Sequence, residues 1–300
     1  MPGFSTTLTV NSFFWITSLR PTERGVTRRI QEDVLPYLDR IGLRHHTFEP
    51  QTATELLEIL SHIAQEANVG LKPILHFDTH GDLAQGIKLA ASGEFIPWSV
   101  LIAHLRAINV ATGNNLCVVS GACFSLNAVW EINLSEPCPF FILIAPGKEV
   151  SAGFLEDKTF DFYKSAFEGL EIVAAYERHL APHLSLHHCE RVLAYDIANY
   201  VRDCCTGKGR RIRREELITK AVTAGIAPNR QARRIIRQGA KKWTRPSQAM
   251  VDRYVNGVGS KFLMGKPPGF DIEDVMRLVK SDNTRAARVR APIRLPDNRS

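Results

Sequence analysis

Two short apolar runs in this chain each close on a reactive side chain: Pro73-Ile74-Leu75-His76-Phe77-Asp78-Thr79-His80-Gly81, and Leu116-Cys117-Val118-Val119-Ser120-Gly121-Ala122-Cys123-Phe124-Ser125. A run of this length bounded by turn residues suits a strand buried on both faces of a parallel sheet. Residues just past such strands line the carboxyl-end crevice where ligands bind. One strand then delivers an imidazole to that crevice and the other a thiol.

The flanking segments agree with such a sheet. Residues 8–19, with Phe13, Phe14, Trp15 and Ile16, read as a central strand. Val26, Ile30, Val34, Leu38 and Ile41 predict a helix over 22–41 opened by Thr22. A strand over 43–48 and a helix over 52–67 follow. After Gly81, residues 87–90 and 94–96 predict a hairpin turning at Ser92-Gly93, and Pro97 opens a helix to Asn109. Beyond Cys123 come a helix near 126–132, a strand over 140–145 and two helices within 155–180. Strands alternating with helices imply an α/β fold with a mostly parallel sheet covered on both faces. From Ser185 the expectation is all-helical, over 185–204, 214–224, 229–243, 247–257 and 271–280, and the Arg- and Pro-rich residues 281–300 read as a disordered tail. The expected division is therefore 1–184, 185–280 and 281–300.

At 44% hydrophobic and 23% charged, 300 residues suffice for a large core. The N-terminus lacks the basic, apolar and small-residue succession of a secretory signal. The longest apolar run, Pro139 to Pro146, is too short to cross a bilayer. Six cysteines without a regular framework read as reduced thiols, so a cytoplasmic protein without membrane association is expected. Charge is uneven: residues 206–300 carry 23 Lys and Arg against 8 Asp and Glu, whereas residues 1–205 carry 15 against 23.

A thiol at its ordinary pKa is mostly protonated at neutral pH, so a nucleophilic cysteine needs a base, and His80 is the candidate for Cys123. Attack on a carbonyl generates an oxyanion, for which the backbone N–H groups of Gly81 and Cys123 are the adjacent donors. Either residue alone at a strand end is more often a packing or hydrogen-bonded residue. The joint pattern points to chemistry, because one hairpin and one helix between them make a crossover that sets two parallel strands side by side.

An apolar block ending in His80-Gly81 and another ending in Ala122-Cys123 resemble the caspase-like cysteine peptidases, the grouping of caspases, metacaspases, separase and gingipains. The likeness is closest to bacterial CHAT-domain proteases, through Leu75 to Gly81, Gly86 to Ala90, Phe95-Ile96 and Gly121 to Ser125, with Ala145 to Val150 and Thr159 to Tyr163 downstream. It covers about residues 8–180. The resemblance implies a caspase-like three-layer fold, His80 as general base and acid, Cys123 as nucleophile, Gly81 with Cys123 as oxyanion hole, and a protein substrate in a stress, defence or regulated-death pathway. It implies no cofactor and no metal. Gly121 stands where caspases carry Gln and metacaspases an acidic residue, and Phe124-Ser125 replaces the usual following Gly.

Asp78, Asp82, Gly121 and Ser125 are candidate substrate contacts, and His76 a candidate support for the site, lying on the same strand face as His80. His183, His187, His188, Cys189, Cys204 and Cys205 are suitable zinc ligand types, yet their spacing matches no standard site. Arg210, Arg211, Arg213 and Arg214, with Arg233, Arg237 and Lys241, form a basic region. It suits nucleic acid or a regulatory protein partner, and in the alternative reading it is the working surface of a catalytically silent module.

Overall fold

The computed structural model of the chain describes residues 4, 7–169, 171–226 and 229–280. These form two compact units: a sheet unit of residues 7–189 with 262–264, and a helical unit of residues 190–261 and 265–280.

The sheet unit runs β1 (Ser12–Ser18), α1 (Arg24–Arg40), β2 (Arg44–Phe48), α2 (Ala53–Asn68), β3 (Pro73–Asp82), β4 (Gly86–Lys88), β5 (Phe95–Ile96), α3 (Trp98–Ala111) and β6 (Cys117–Ser120). A 3-10 helix (Ser125–Glu131), β7 (Ile142–Ala145), α4 (Ala152–Gly169), α5 (Ile172–His179) and β8 (Ser185–His188) complete it. The strand order is β2-β1-β3-β6-β7-β8, parallel except for β8, which is antiparallel to β7. The β4–β5 hairpin continues from the end of β3, with His80 opposite Lys88 and Lys88 opposite Phe95. The central strands are apolar on both faces because helices cover both. On one face Phe13, Trp15 and His76 pack around Tyr163 of α4. On the other, Phe77, Val118 and Leu143 meet Leu101 and Leu105 of α3 around a small cavity.

The helical unit contains α6 (Cys189–Tyr200, its first residue the last of the sheet unit), α7 (Gly207–Thr223), α8 (Arg230–Trp243), α9 (Gln248–Tyr254), the single turn α10 (Ser260–Phe262, its last residue in the sheet unit) and α11 (Ile272–Lys280). Two π-helical stretches, Val201–Cys205 and Val255–Gly259, interrupt it. Asn229 caps α8 through its side chain, accepting from Ala232 N at 2.9 Å.

Four expectations need correction. Residues 185–188 are a strand, not the start of a helix, because the free edge of β7 supplies a ladder from Ile142 opposite His188 to Ala145 opposite Ser185. The first unit consequently extends to Cys189 rather than ending at 184. It also takes in residues 262–264, where Phe262 O accepts from Cys138 N at 3.0 Å. β3 passes Gly81 to reach Asp82, held by pairing with β4, and α7 begins at Gly207 rather than 214. The expected tail, 281–300, lies outside the described residues. Among the described residues no helix is long and apolar enough to cross a membrane.

Candidate active site

Strand register places the two reactive side chains. β3 and β6 pair in parallel from Ile74 opposite Cys117 to Phe77 opposite Ser120, and Gly121 N donates to Phe77 O at 2.8 Å. The offset along this ladder is 43 residues, the same as the separation of His80 from Cys123. Alternation puts His76, Asp78 and His80 on one face of β3. Cys117 on β6 shares that face, lying close to Tyr163 as His76 does. At the carboxyl ends the two backbones close on each other. A Cβ added to Gly81 would sit 2.0 Å from the Cys123 carbonyl oxygen and 3.3 Å from its nitrogen. Only glycine permits that approach.

Cys123 leaves the strand on a sharp turn into the 3-10 helix. The next residue, Phe124, has φ of 61° and ψ of 8°, a left-handed backbone that costs a non-glycine residue on the order of 1 kcal/mol. Neighbouring hydrogen bonds hold it there: Ser125 N to Ala122 O at 3.2 Å, Asn127 N to Phe124 O at 2.9 Å, and Leu126 N to Pro146 O at 3.1 Å. Four of the six cysteines are buried and none is in a disulfide; Cys123 is part-exposed. Burial pushes the thiols of Cys117, Cys204 and Cys205 up, away from thiolate. Among the described residues, neither the Cys123 thiol nor its backbone N–H has a hydrogen-bond partner.

His80 is half-exposed, and its Nε2 lies 3.0 Å from Oε2 of Glu23. Glu23 is the N-cap of α1, just past the carboxyl end of β1, and its carboxylate also accepts from Arg20 N at 3.0 Å. The His80 hydrogen bond, then the Arg20 amide, hold the Glu23 carboxyl below the usual carboxylate range. Glu23 is the site residue that sequence reasoning missed. Its signal was an acidic side chain at the start of the helix that follows β1, the strand neighbouring β3, at the same sheet end as His80. With Nε2–H donated to Glu23, Nδ1 of His80 keeps the lone pair that a base needs.

The remaining sequence candidates separate. Asp78 is part-buried and accepts a short hydrogen bond from Thr27 Oγ1 of α1; burial pushes its carboxyl up. Asp82 caps its own turn, accepting from Ala84 N and Gln85 N at 2.8 Å each. It also lines a cleft of about 330 Å³ with Arg20, Glu23, His80, Lys88 and Phe95. Gly121 faces α4, where an added Cβ would meet Leu155 at 3.0 Å and Asp78 Oδ1 at 4.0 Å. Ser125 is buried and lines the cavity under α3, away from the His80 cleft. His76 lies deep under the site, its ring 4.0 Å from that of Trp15 and its Nδ1 2.7 Å from Tyr163 Oη. Burial lowers its pKa to about 3, so it is neutral and structural.

Among the described residues no cluster of three or more His, Cys, Asp or Glu side chains could hold a metal ion. Of the zinc ligand types, His187 lies on β8, and the His183 ring packs 4.2 Å from that of Phe154. The basic residues Arg210, Arg211, Arg213 and Arg214 lie on α7, and Arg233, Arg237 and Lys241 on α8. Compared with known proteins, the chain matches no family model and no curated protein.

Proposed function

We propose that this chain is a cysteine endopeptidase with a caspase-like three-layer sheet unit, acting through Cys123 and His80. The observation that supports this most is the alignment of the two residues at the carboxyl ends of adjacent parallel strands, with Gly81 packed against the Cys123 backbone. In the proposed reaction His80 Nδ1 takes the thiol proton and Cys123 Sγ bonds to the scissile carbonyl carbon. The oxyanion accepts from the Cys123 and Gly81 N–H groups. The amine leaves with the proton from His80, giving a thioester. Water, deprotonated by His80, then attacks the thioester and releases the acid and the thiol. Glu23 is a positioning residue: it fixes the imidazole tautomer and stabilises the imidazolium between steps. The cleft beside His80 takes a side chain of the protein substrate, and its charged lining, Arg20 and Lys88 with Glu23 and Asp82, favours a polar one over an apolar one.

The deciding experiment uses a peptidyl electrophile and intact-mass detection. Wild type is expected to form a one-to-one adduct at Cys123, Cys123→Ala none, and Glu23→Gln the same adduct about 10- to 100-fold more slowly. Equal labelling of wild type and Cys123→Ala would sink the peptidase reading.

A further inference from the structure

Helix α8 has a property that the peptidase chemistry does not use. Its fourteen residues contain no acidic side chain, and Arg230, Arg233, Arg234, Arg237 and Lys241 recur at i, i+3, i+4, i+7 and i+11. That spacing gathers all five into one stripe spanning roughly 100° of the helix surface. All five are exposed, and none forms an ion pair among the described residues. The opposite face holds Ala232, Ile236, Gly239 and Ala240, which are half-buried or buried against the rest of the helical unit. The helix is thus anchored by its apolar side and presents an unneutralised row of cations to solvent.

We propose that the α8 stripe is a docking surface for the phosphate backbone of duplex DNA, read without base specificity. At about 1.5 Å per residue the five cations span roughly 16 Å, one per ~4 Å, close to the ~3.4 Å axial spacing of phosphates on one DNA strand. Four of the five are arginines, whose planar fork suits bidentate contact with phosphate oxygens. A lipid surface fits less well, because an interfacial helix must turn a whole apolar face outward, whereas α8 turns Ala232, Ile236 and Ala240 inward and leaves Ile235 and Trp243 as its exposed apolar residues. Single strands need aromatic stacking platforms. The one aromatic side chain on α7 and α8 is Trp243, a lone ring with the Arg253 guanidinium over one face at 4.3 Å, where successive bases need several platforms. A straight helix enters the wide major groove of B-form DNA, whereas the deep groove of A-form RNA excludes it.

The test is fluorescence anisotropy of the full chain, inactivated as Cys123→Ala, with a labelled duplex of about 20 base pairs across roughly 50 to 200 mM salt. Five neutralised phosphates give an expected log–log salt slope near −4.5, a loss of about 500-fold in affinity over that range. The double variant Arg233→Gln/Arg237→Gln should keep the wild-type melting curve, lower affinity equally on two unrelated duplexes, and flatten the slope by about 2. Absence of duplex binding at the lowest salt, an unchanged slope in the double variant, or tighter binding to phosphatidylserine vesicles or polyglutamate than to the duplex would overturn the proposal. Because the nucleophile is absent throughout, the outcome is independent of whether the sheet unit is a peptidase.

Discussion

Strands β6 and β7 bury every side chain they carry, whereas α7, a helix of seventeen residues, buries none. The same chain therefore spends its apolar residues in two ways. In the sheet unit they lock a ladder whose register sets where His80 and Cys123 emerge. In the helical unit Ile212, Val222 and Ile235 are left exposed among cations. The difference teaches where positional accuracy resides. A site built on packed, paired backbone inherits the ladder's precision, while a surface built on a solvated helix face needs only charge and spacing.

The sharpest way to break this contrast is at Gly81. Replacing it with Ala drives a methyl into the Cys123 carbonyl, so Gly81→Ala should cost about 3 kcal/mol or more in urea unfolding and abolish labelling of Cys123. Unchanged stability would mean that the two strand ends do not touch.

Acid comes next. His76 titrates at about 3 in the fold and near 6.5 unfolded, so between those values the unfolded chain binds a proton that the folded chain does not. Stability is therefore full above pH 6.5 and falls as pH drops toward 3, by up to the order of 4 kcal/mol. Urea titrations of wild type and His76→Phe across that window check it. The variant should lose this part of the slope, and parallel curves would refute the burial argument.

The smallest effect is expected on the other unit. Ile212→Ala on α7 should change stability by no more than about 0.5 kcal/mol, since that side chain is 48% exposed. A loss of about 2 kcal/mol or more would mean that α7 is covered in solution.

Much of the sheet was legible in the sequence because its strands are short apolar runs punctuated by turn residues, and because a two-sided helix cover demands such runs. β8 was not, since Ser185-Leu186-His187-His188 carries no decisive alternation and becomes a strand only through the edge of β7. Of the site, the His80, Gly81 and Cys123 group followed from strand ends. Glu23 did not, because a lone acid at a helix start reads as an ordinary cap, and its meeting with His80 spans 57 residues. Asp78 and Asp82 flank His80 along the chain, but their carboxylates serve Thr27 and a local turn. Sequence shows which groups are near along the chain; pairing decides which carboxylate faces the imidazole.

The β3–β6 ladder has a consequence for how this protein can vary. Alignment of the imidazole with the thiol depends on cross-strand pairing and not on the length of chain between them, so residues added to the turn at Ser92-Gly93 should leave the site intact. A slip of a single position within β6 would instead carry Cys123 to the opposite side of the sheet, toward α3. The turn of the intervening hairpin is thus open to insertion, while the four paired residues of β6 are closed to it.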